Sequence, residues 1–208
     1  MKVGIGNDHA AVELKMQIKE FIESMGHEVV NYGVDTAESC NYPEIGEKVG
    51  RAVADGEVDC AVLICGTGVG ISIAANKVNG VRAAVCSDVT TAHLVKEHND
   101  ANIIAFGARI VGVELAKDIV KAYLNAEFLG GRHATRVAML ADIEKRNTRI
   151  YNITNTELSE DVINSMDEIC RHYGVTNIRL RDIDKQWGHP SIKGMKSICE
   201  QVCKVVEE

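Results

Sequence analysis

The most chemically suggestive segment of the sequence is Cys65-Gly66-Thr67-Gly68-Val69-Gly70. Glycines at this spacing let the backbone turn sharply and bring its N–H groups close to a ligand. The segment lies between an apolar run, CAVLIC, and the start of a helix, so it suits a phosphate or a developing oxyanion. The positive end of a helix also favours a thiolate, the form in which a cysteine acts as base or nucleophile. Cys65 is equally open to a plainer reading as a small apolar core residue, the reading that suits Cys60 and Cys86. The loop is not a dinucleotide fingerprint, which would follow the first strand, and Ile71 stands where the third glycine belongs. The Walker spacing is absent as well, so NAD and ATP find little support.

Histidines and arginines supply the other reactive groups. His98 ends a predicted helix and is followed by Asn99 and Asp100; it is either a general acid/base or a histidine placed by the helix dipole. His9 directly follows the first predicted strand. Gly130-Gly131-Arg132-His133-Ala134-Thr135-Arg136 is a compact basic cluster. Arg132 and Arg136 are four residues apart and share a helix face, an arrangement that suits a phosphate monoester and also occurs on solvated helix faces. No HxH, HExxH or zinc-like Cys/His spacing occurs, so no metal is expected.

Positioning these groups requires an alternating fold. Strand patterns are predicted over 2–6, 28–32, 58–65, 81–86 and 103–106. Helical spacing covers 10–25, 43–55, 90–98, 113–124 and 132–146, with Pro43 in a first turn and Gly26 as a stop. Continuous apolarity in 58–65 marks a strand buried on both faces. Five strands separated by helices imply right-handed parallel βαβ units and a Rossmann-like three-layer αβα sandwich. Ligands in such sheets sit beyond the carboxyl ends of the strands. Asp8 and His9, the 65–70 loop, Ser87 and Asp88, and 107–109 with Arg109 fall there. Residues 147–208 read as a small C-terminal α/β extension to a first domain of 1–146. Within it, 152–156 carries polar turn residues, 157–173 and 192–206 are amphipathic helices, and 175–181 is a short strand.

Bulk composition narrows the function classes. The chain has 208 residues, and its 30 acidic against 23 basic side chains give a net charge of −7, which argues against a bulk electrostatic role on nucleic acid or an anionic membrane. No apolar run is long enough to span a bilayer, and the N-terminus lacks a signal-peptide pattern. Seven scattered cysteines without a CxxC suggest reduced thiols and a cytoplasmic setting.

With these residues assembled, the chain resembles the ribose-5-phosphate isomerase B family, which also contains galactose-6-phosphate isomerase subunits. The resemblance rests on GNDHA, NYPEIG, CGTGVGISIAANK, EHNDANIIAFGAR and GGRHATR, and spans about residues 1–146. It implies a cofactor-free aldose–ketose isomerase acting on a phosphorylated sugar, and a homodimer with sites at the subunit interface. By the same resemblance Cys65 is the base that moves a proton between C1 and C2. Ile71 stands where other members carry a catalytic carboxylate, which places the chain in the cysteine type. Thr67 supports the base, and the amides of Gly66, Gly68, Val69 and Gly70, with Asn99, stabilise the enediolate. His98 opens the sugar ring. His9, Arg132 and Arg136 hold the phosphate, Asp8 and Arg109 bind hydroxyls or order the site, and Tyr42 lines it. Some of these residues serve the partner's pocket.

The family's shorter members end near Arg146, so the extension leaves the sugar open. Ribose 5-phosphate is the expected substrate, with tetrulose, allose or galactose phosphates as alternatives. An NAD-linked oxidoreductase would need a first-strand fingerprint and an acidic end to strand two, for which Asp35 is a poor match. A receiver-like signalling module would need an Asp ending strand three and a Lys ending strand five, where Cys65 and Arg109 stand instead.

Overall fold

The computed structural model describes residues 1–147 and, beyond them, 151–155, 176–180, 185–186 and 189–190, with single helical positions at 164, 167, 168 and 198. The chain divides into two compact units, Met1–Glu144 and Lys145–Glu208. The first unit alternates strand and helix. It contains β1 (Lys2–Asn7), a 3₁₀ turn (His9–Ala11), α1 (Val12–Ser24), β2 (Glu28–Asn31), α2 (Tyr42–Ala54), β3 (Cys60–Cys65) and α3 (Val69–Ala75). These are followed by β4 (Ala83–Val85), α4 (Val89–Asn99), β5 (Ile103–Gly107), α5 (Val113–Leu124) and α6 (Arg132–Asn147).

All five strands pair in parallel in the order β2-β1-β3-β5-β4. Every residue of β3 is buried, as the unbroken apolar run requires of a central strand. Its alternate side chains enter two separate cores. Cys60, Val62 and Ile64 meet Leu14, Ile18 and Ile22 of α1 and Ala116, Ile119 and Val120 of α5. Ala61, Leu63 and Cys65 meet Ile45 and Val49 of α2 and Ile71 and Ala75 of α3. The three-layer αβα sandwich follows directly. Burial pushes the Cys60 thiol up to about 11 and the Cys86 thiol up to about 12, as befits cysteines acting as core residues.

The predicted helix over 10–25 begins instead as a 3₁₀ turn, because the Asp8 carboxylate captures the Ala10 N–H at 2.9 Å and tightens the first turn. In the second unit, Tyr151–Asn155 is a strand, β6, paired in parallel with β7 (Thr176–Leu180), rather than the polar turn expected over 152–156. Tyr151, Ile153 and Thr154 suit a pleated surface, and pairing with a distant segment overrides the local turn tendency of the asparagines. A further pair, β8 (Lys185–Gln186) and β9 (His189–Pro190), is antiparallel. The helices expected over 157–173 and 192–206 lie outside the described residues except at those single helical positions.

Candidate active site

Because β2 lies on one side of β1 and β3 on the other, the chain reverses direction across the sheet between β1 and β3. A ligand crevice is expected at their carboxyl ends. The Asp8 N–H donates to the Ile64 carbonyl at 3.1 Å and ties the two strand ends together. Asp8 itself is only 7% exposed. Beside it, the Cys40 N–H donates to Nδ1 of His9 at 3.4 Å, and the Cys40 sulfur lies 3.9 Å from the same nitrogen. With Nδ1 an acceptor, the neutral His9 ring carries its proton on Nε2. The loop bearing Cys40 is anchored earlier by the buried ammonium of Lys15, which is paired with Asp35; that pairing holds the Asp35 carboxyl below its usual range.

Cys65 is the last residue of β3 and is 4% exposed. Its sulfur accepts the Gly68 N–H at 3.1 Å. Gly68 has φ 80°, and a β-carbon there would stand 2.7 Å from the Phe106 backbone; a β-carbon on Gly107 would stand 2.6 Å from Cα of Thr67. The glycines therefore let the loop lie flat against the end of β5. Beyond the strands, Ala108 N–H donates to the Cys65 carbonyl at 2.9 Å and Arg109 N–H to the Gly66 carbonyl at 3.1 Å. The Arg109 guanidinium lies over Gly66, and the Tyr42 ring lies against Gly70 so closely that a β-carbon there would come within 2.7 Å of it. The exposed Thr67 accepts the Val69 N–H at 3.4 Å. The carboxyl edge thus gathers Asp8, His9, Tyr42, Cys65, Thr67, the loop amides and Arg109.

The remaining expected residues stand at the opposite edge. A crossover helix runs antiparallel to the strands it joins, so α4 starts beside the carboxyl ends and finishes beside the amino ends. Arg82, just before β4, donates to the Asn99 carbonyl at 3.2 Å, to the Asp100 carbonyl at 2.9 Å and to the Asp100 carboxylate at 2.9 Å. This clamp holds Asp100 in the left-handed conformation, φ 46°, that ends α4. Cys65 is level with Gly107 at one end of β5, whereas Ala83, next to Arg82, is level with Ile103 at the other. At about 3.3 Å per residue, the four steps of β5 put roughly 13 Å between those levels.

Helix α5 returns the chain to the amino edge, where Leu129 N–H donates to the Glu97 carbonyl at 3.0 Å. Gly130 and Gly131, with φ 62° and 54°, turn the chain into α6. Arg132 and Arg136 are exposed there, one turn apart, while His133 between them is buried. The His133 ring stacks on His98 with centroids 4.3 Å apart and planes 1° from parallel. Burial, with His98, Arg132 and Arg136 beside it, holds the His133 imidazolium below the usual histidine range. In the sequence His133 reads only as part of a basic cluster, and Cys40 carries no role. The one available signal was an aromatic ring between two arginines in a glycine-led turn.

One chain therefore carries two groups of candidate residues at opposite edges of the sheet. The carboxyl edge has a thiol, backbone donors and a carboxylate beside one another, the set needed to move a proton next to a carbonyl. The amino edge has an imidazole and two guanidinium groups, the set needed to hold an anion.

Comparison with known proteins identifies the family. The family model described as Ribose/Galactose Isomerase matches residues 3–140. A second model, GDSL-like Lipase/Acylhydrolase, matches residues 111–206, less than half of the chain. The chain is 50% identical over 145 residues to ribose-5-phosphate isomerase B of Escherichia coli, covering 70% of this chain and 97% of that protein. It is 42% identical over 145 residues to D-erythrulose-4-phosphate isomerase of Pectobacterium atrosepticum, covering 69% of this chain and 95% of that protein. The solved structure of Clostridium thermocellum ribose-5-phosphate isomerase B superposes with a TM-score of 0.70 at 54% identity, covering 71% of this chain and all of that one. The chain belongs to the ribose/galactose isomerase family and is a sugar-phosphate isomerase.

Proposed function

We propose that the chain interconverts ribose 5-phosphate and ribulose 5-phosphate, without a cofactor, at sites shared between two copies of the chain in a homodimer. The observation that carries the mechanism is the Cys65 sulfur at the head of the glycine loop, receiving the Gly68 N–H at 3.1 Å. His98 protonates the ring oxygen while the C1 hydroxyl loses its proton, which opens the furanose. Cys65, as thiolate, removes the C2 proton; the C–H electron pair becomes the C1=C2 bond and the carbonyl oxygen O1 becomes an oxyanion. The loop amides from Gly66 to Gly70 and the Asn99 side chain stabilise that charge. The same thiol returns the proton to C1 as the O2 proton passes to O1, which leaves O2 as the ketone oxygen and O1 as a hydroxyl. Thr67 supports the base. Asp8 and Arg109 bind the hydroxyls, Tyr42 lines the pocket, and His9, Arg132 and Arg136 hold the phosphate.

A shared site is supported by the separation of the two groups along β5, since a carboxyl-edge thiol needs its ring-opening partner from elsewhere. Residues 1–146 constitute the isomerase domain and 147–208 an appended extension. The four free thiols among the described residues suit a reducing compartment such as the cytoplasm. The preference for ribose 5-phosphate draws on the 50% identity to the Escherichia coli enzyme and the 54% identity to the Clostridium thermocellum enzyme. A second reading, isomerisation of a four-carbon ketose phosphate, is favoured by the 42% identity to the Pectobacterium enzyme. Coupled assays on phosphorylated tetroses, pentoses and hexoses decide between them: the highest kcat/KM is expected for ribose 5-phosphate, and a tetrulose phosphate leading the series would establish the second reading.

A further inference from the structure

The pairing of His98 and His133 asks for more than a basic turn. Their rings are parallel to within 1° and their centroids are 4.3 Å apart. Among the described residues no hydrogen bond orients the His98 ring, so the stack is what holds it. His133 is itself firmly placed: it is 8% exposed, and its backbone N–H donates to the Gly130 carbonyl at 3.0 Å. The preceding turn uses two successive left-handed residues, Gly130 and Gly131, a conformation that side-chain-bearing residues rarely adopt. The Leu129–Glu97 hydrogen bond then fastens that turn to α4 beside His98.

A ring covered on one face offers only its other face and its edge, and both nitrogens lie in that edge. A general acid must present a nitrogen to the sugar ring oxygen within a narrow angle, and an imidazole free to swing about its side-chain bonds does so only part of the time. We propose that His133 is the positioning residue for His98: its ring is the flat seat that holds the His98 imidazole in the plane from which it serves the sugar ring oxygen. This deepens the proposed function and rests on its reading of His98 as the ring-opening acid. His133 touches no reacting atom in this account.

The test compares His133→Ala, His133→Leu and His133→Phe with His98→Ala in the full-length protein, by steady-state kinetics on ribose 5-phosphate, inhibition by inorganic phosphate and circular dichroism. Leucine fills the space without a flat face and serves if the alanine variant does not fold. Loss of the seat is expected to lower kcat about 10- to 100-fold, the scale of a misplaced catalytic group. KM and phosphate inhibition should stay unchanged, and phenylalanine should restore most of kcat. The proposal is overturned if His133→Ala or His133→Leu keeps wild-type kcat, if phenylalanine rescues nothing, or if KM and phosphate inhibition worsen while kcat holds. That last result would mean that His133 only shapes the arginine turn. Full activity in His98→Ala would instead remove the ring-opening role of His98, and the seat with it.

Discussion

The Gly68 N–H points at the Cys65 sulfur across 3.1 Å, so the glycine whose left-handed backbone shapes the loop also supplies the thiol's hydrogen-bond donor. Shape and chemistry are coupled at this point. The loop can place the donor only by lying against Phe106 and Gly107, and neither Gly68 nor Gly107 has room for a β-carbon.

Removing the thiol tests the base. Cys65→Ala leaves a small side chain in the core formed by β3, α2 and α3, so the fold should persist. The kcat/KM for isomerisation should fall by about 10²- to 10⁴-fold, the usual contribution of a positioned general base. Turnover alongside circular dichroism checks this, and a folded variant of wild-type rate would remove Cys65 from the mechanism.

Gly68→Ala and Gly56→Ala form a matched pair. Both glycines have positive φ, 80° and 73°, but only Gly68 has atoms in the way of a β-carbon. Gly56→Ala should cost about 1–2 kcal/mol of stability through backbone strain and leave turnover intact. The Gly68 variant should be less stable still and should also lose activity, because the amide beside Cys65 must move. Thermal melts and kcat measured together separate the two effects.

The arginines are expected to read phosphate. Charge-assisted hydrogen bonds contribute about 1.5–3 kcal/mol each, so Arg132→Ala or Arg136→Ala should lower kcat/KM on the phosphorylated sugar roughly 10- to 100-fold. The free sugar, itself expected to be a poor substrate, should change little. An equal loss on both substrates would show that the arginines do something other than bind phosphate.

Buried thiols predict a loss of stability in alkali. Folding raises the Cys60 thiol from 9.0 to about 11 and the Cys86 thiol from 9.0 to about 12. Below 9 both states keep these protons, and the contribution to stability is fully present. As pH rises from 9 toward 11 and 12 the unfolded chain ionises first, binds fewer protons and gains stability relative to the folded one. Urea melts across that range should show falling stability, with a shallower fall in the Cys60→Ala, Cys86→Ala double variant. Equal slopes would contradict the assignment.

Much of this was legible in the residues. The run CAVLIC reads as a strand buried on both faces, and the glycine loop after it drew attention to Cys65, whose sulfur receives the Gly68 N–H. Cys60 and Cys86 read as core by the same apolar context. What stayed hidden depends on contacts distant in sequence. Nothing local to Asn152 and Asn155 announces a strand whose partner is Thr176–Leu180. The His98–His133 stack joins residues 35 positions apart through a turn that periodicity does not describe. The placement of Cys65 and His98 at opposite edges of the sheet was implicit in the strand–helix alternation, but it needed the strand order to become a distance.

The most direct measurement mixes two inactive proteins. Cys65→Ala and His98→Ala subunits, distinguishably tagged and co-expressed, are purified as the mixed dimer and assayed on ribose 5-phosphate. If each site takes Cys65 from one copy and His98 from the other, the mixed dimer holds one intact site and one doubly defective site, and it should recover about half of wild-type activity per dimer. If each chain builds its site alone, every site in the mixed dimer lacks one residue, and activity no higher than that of the parent variants would contradict the account.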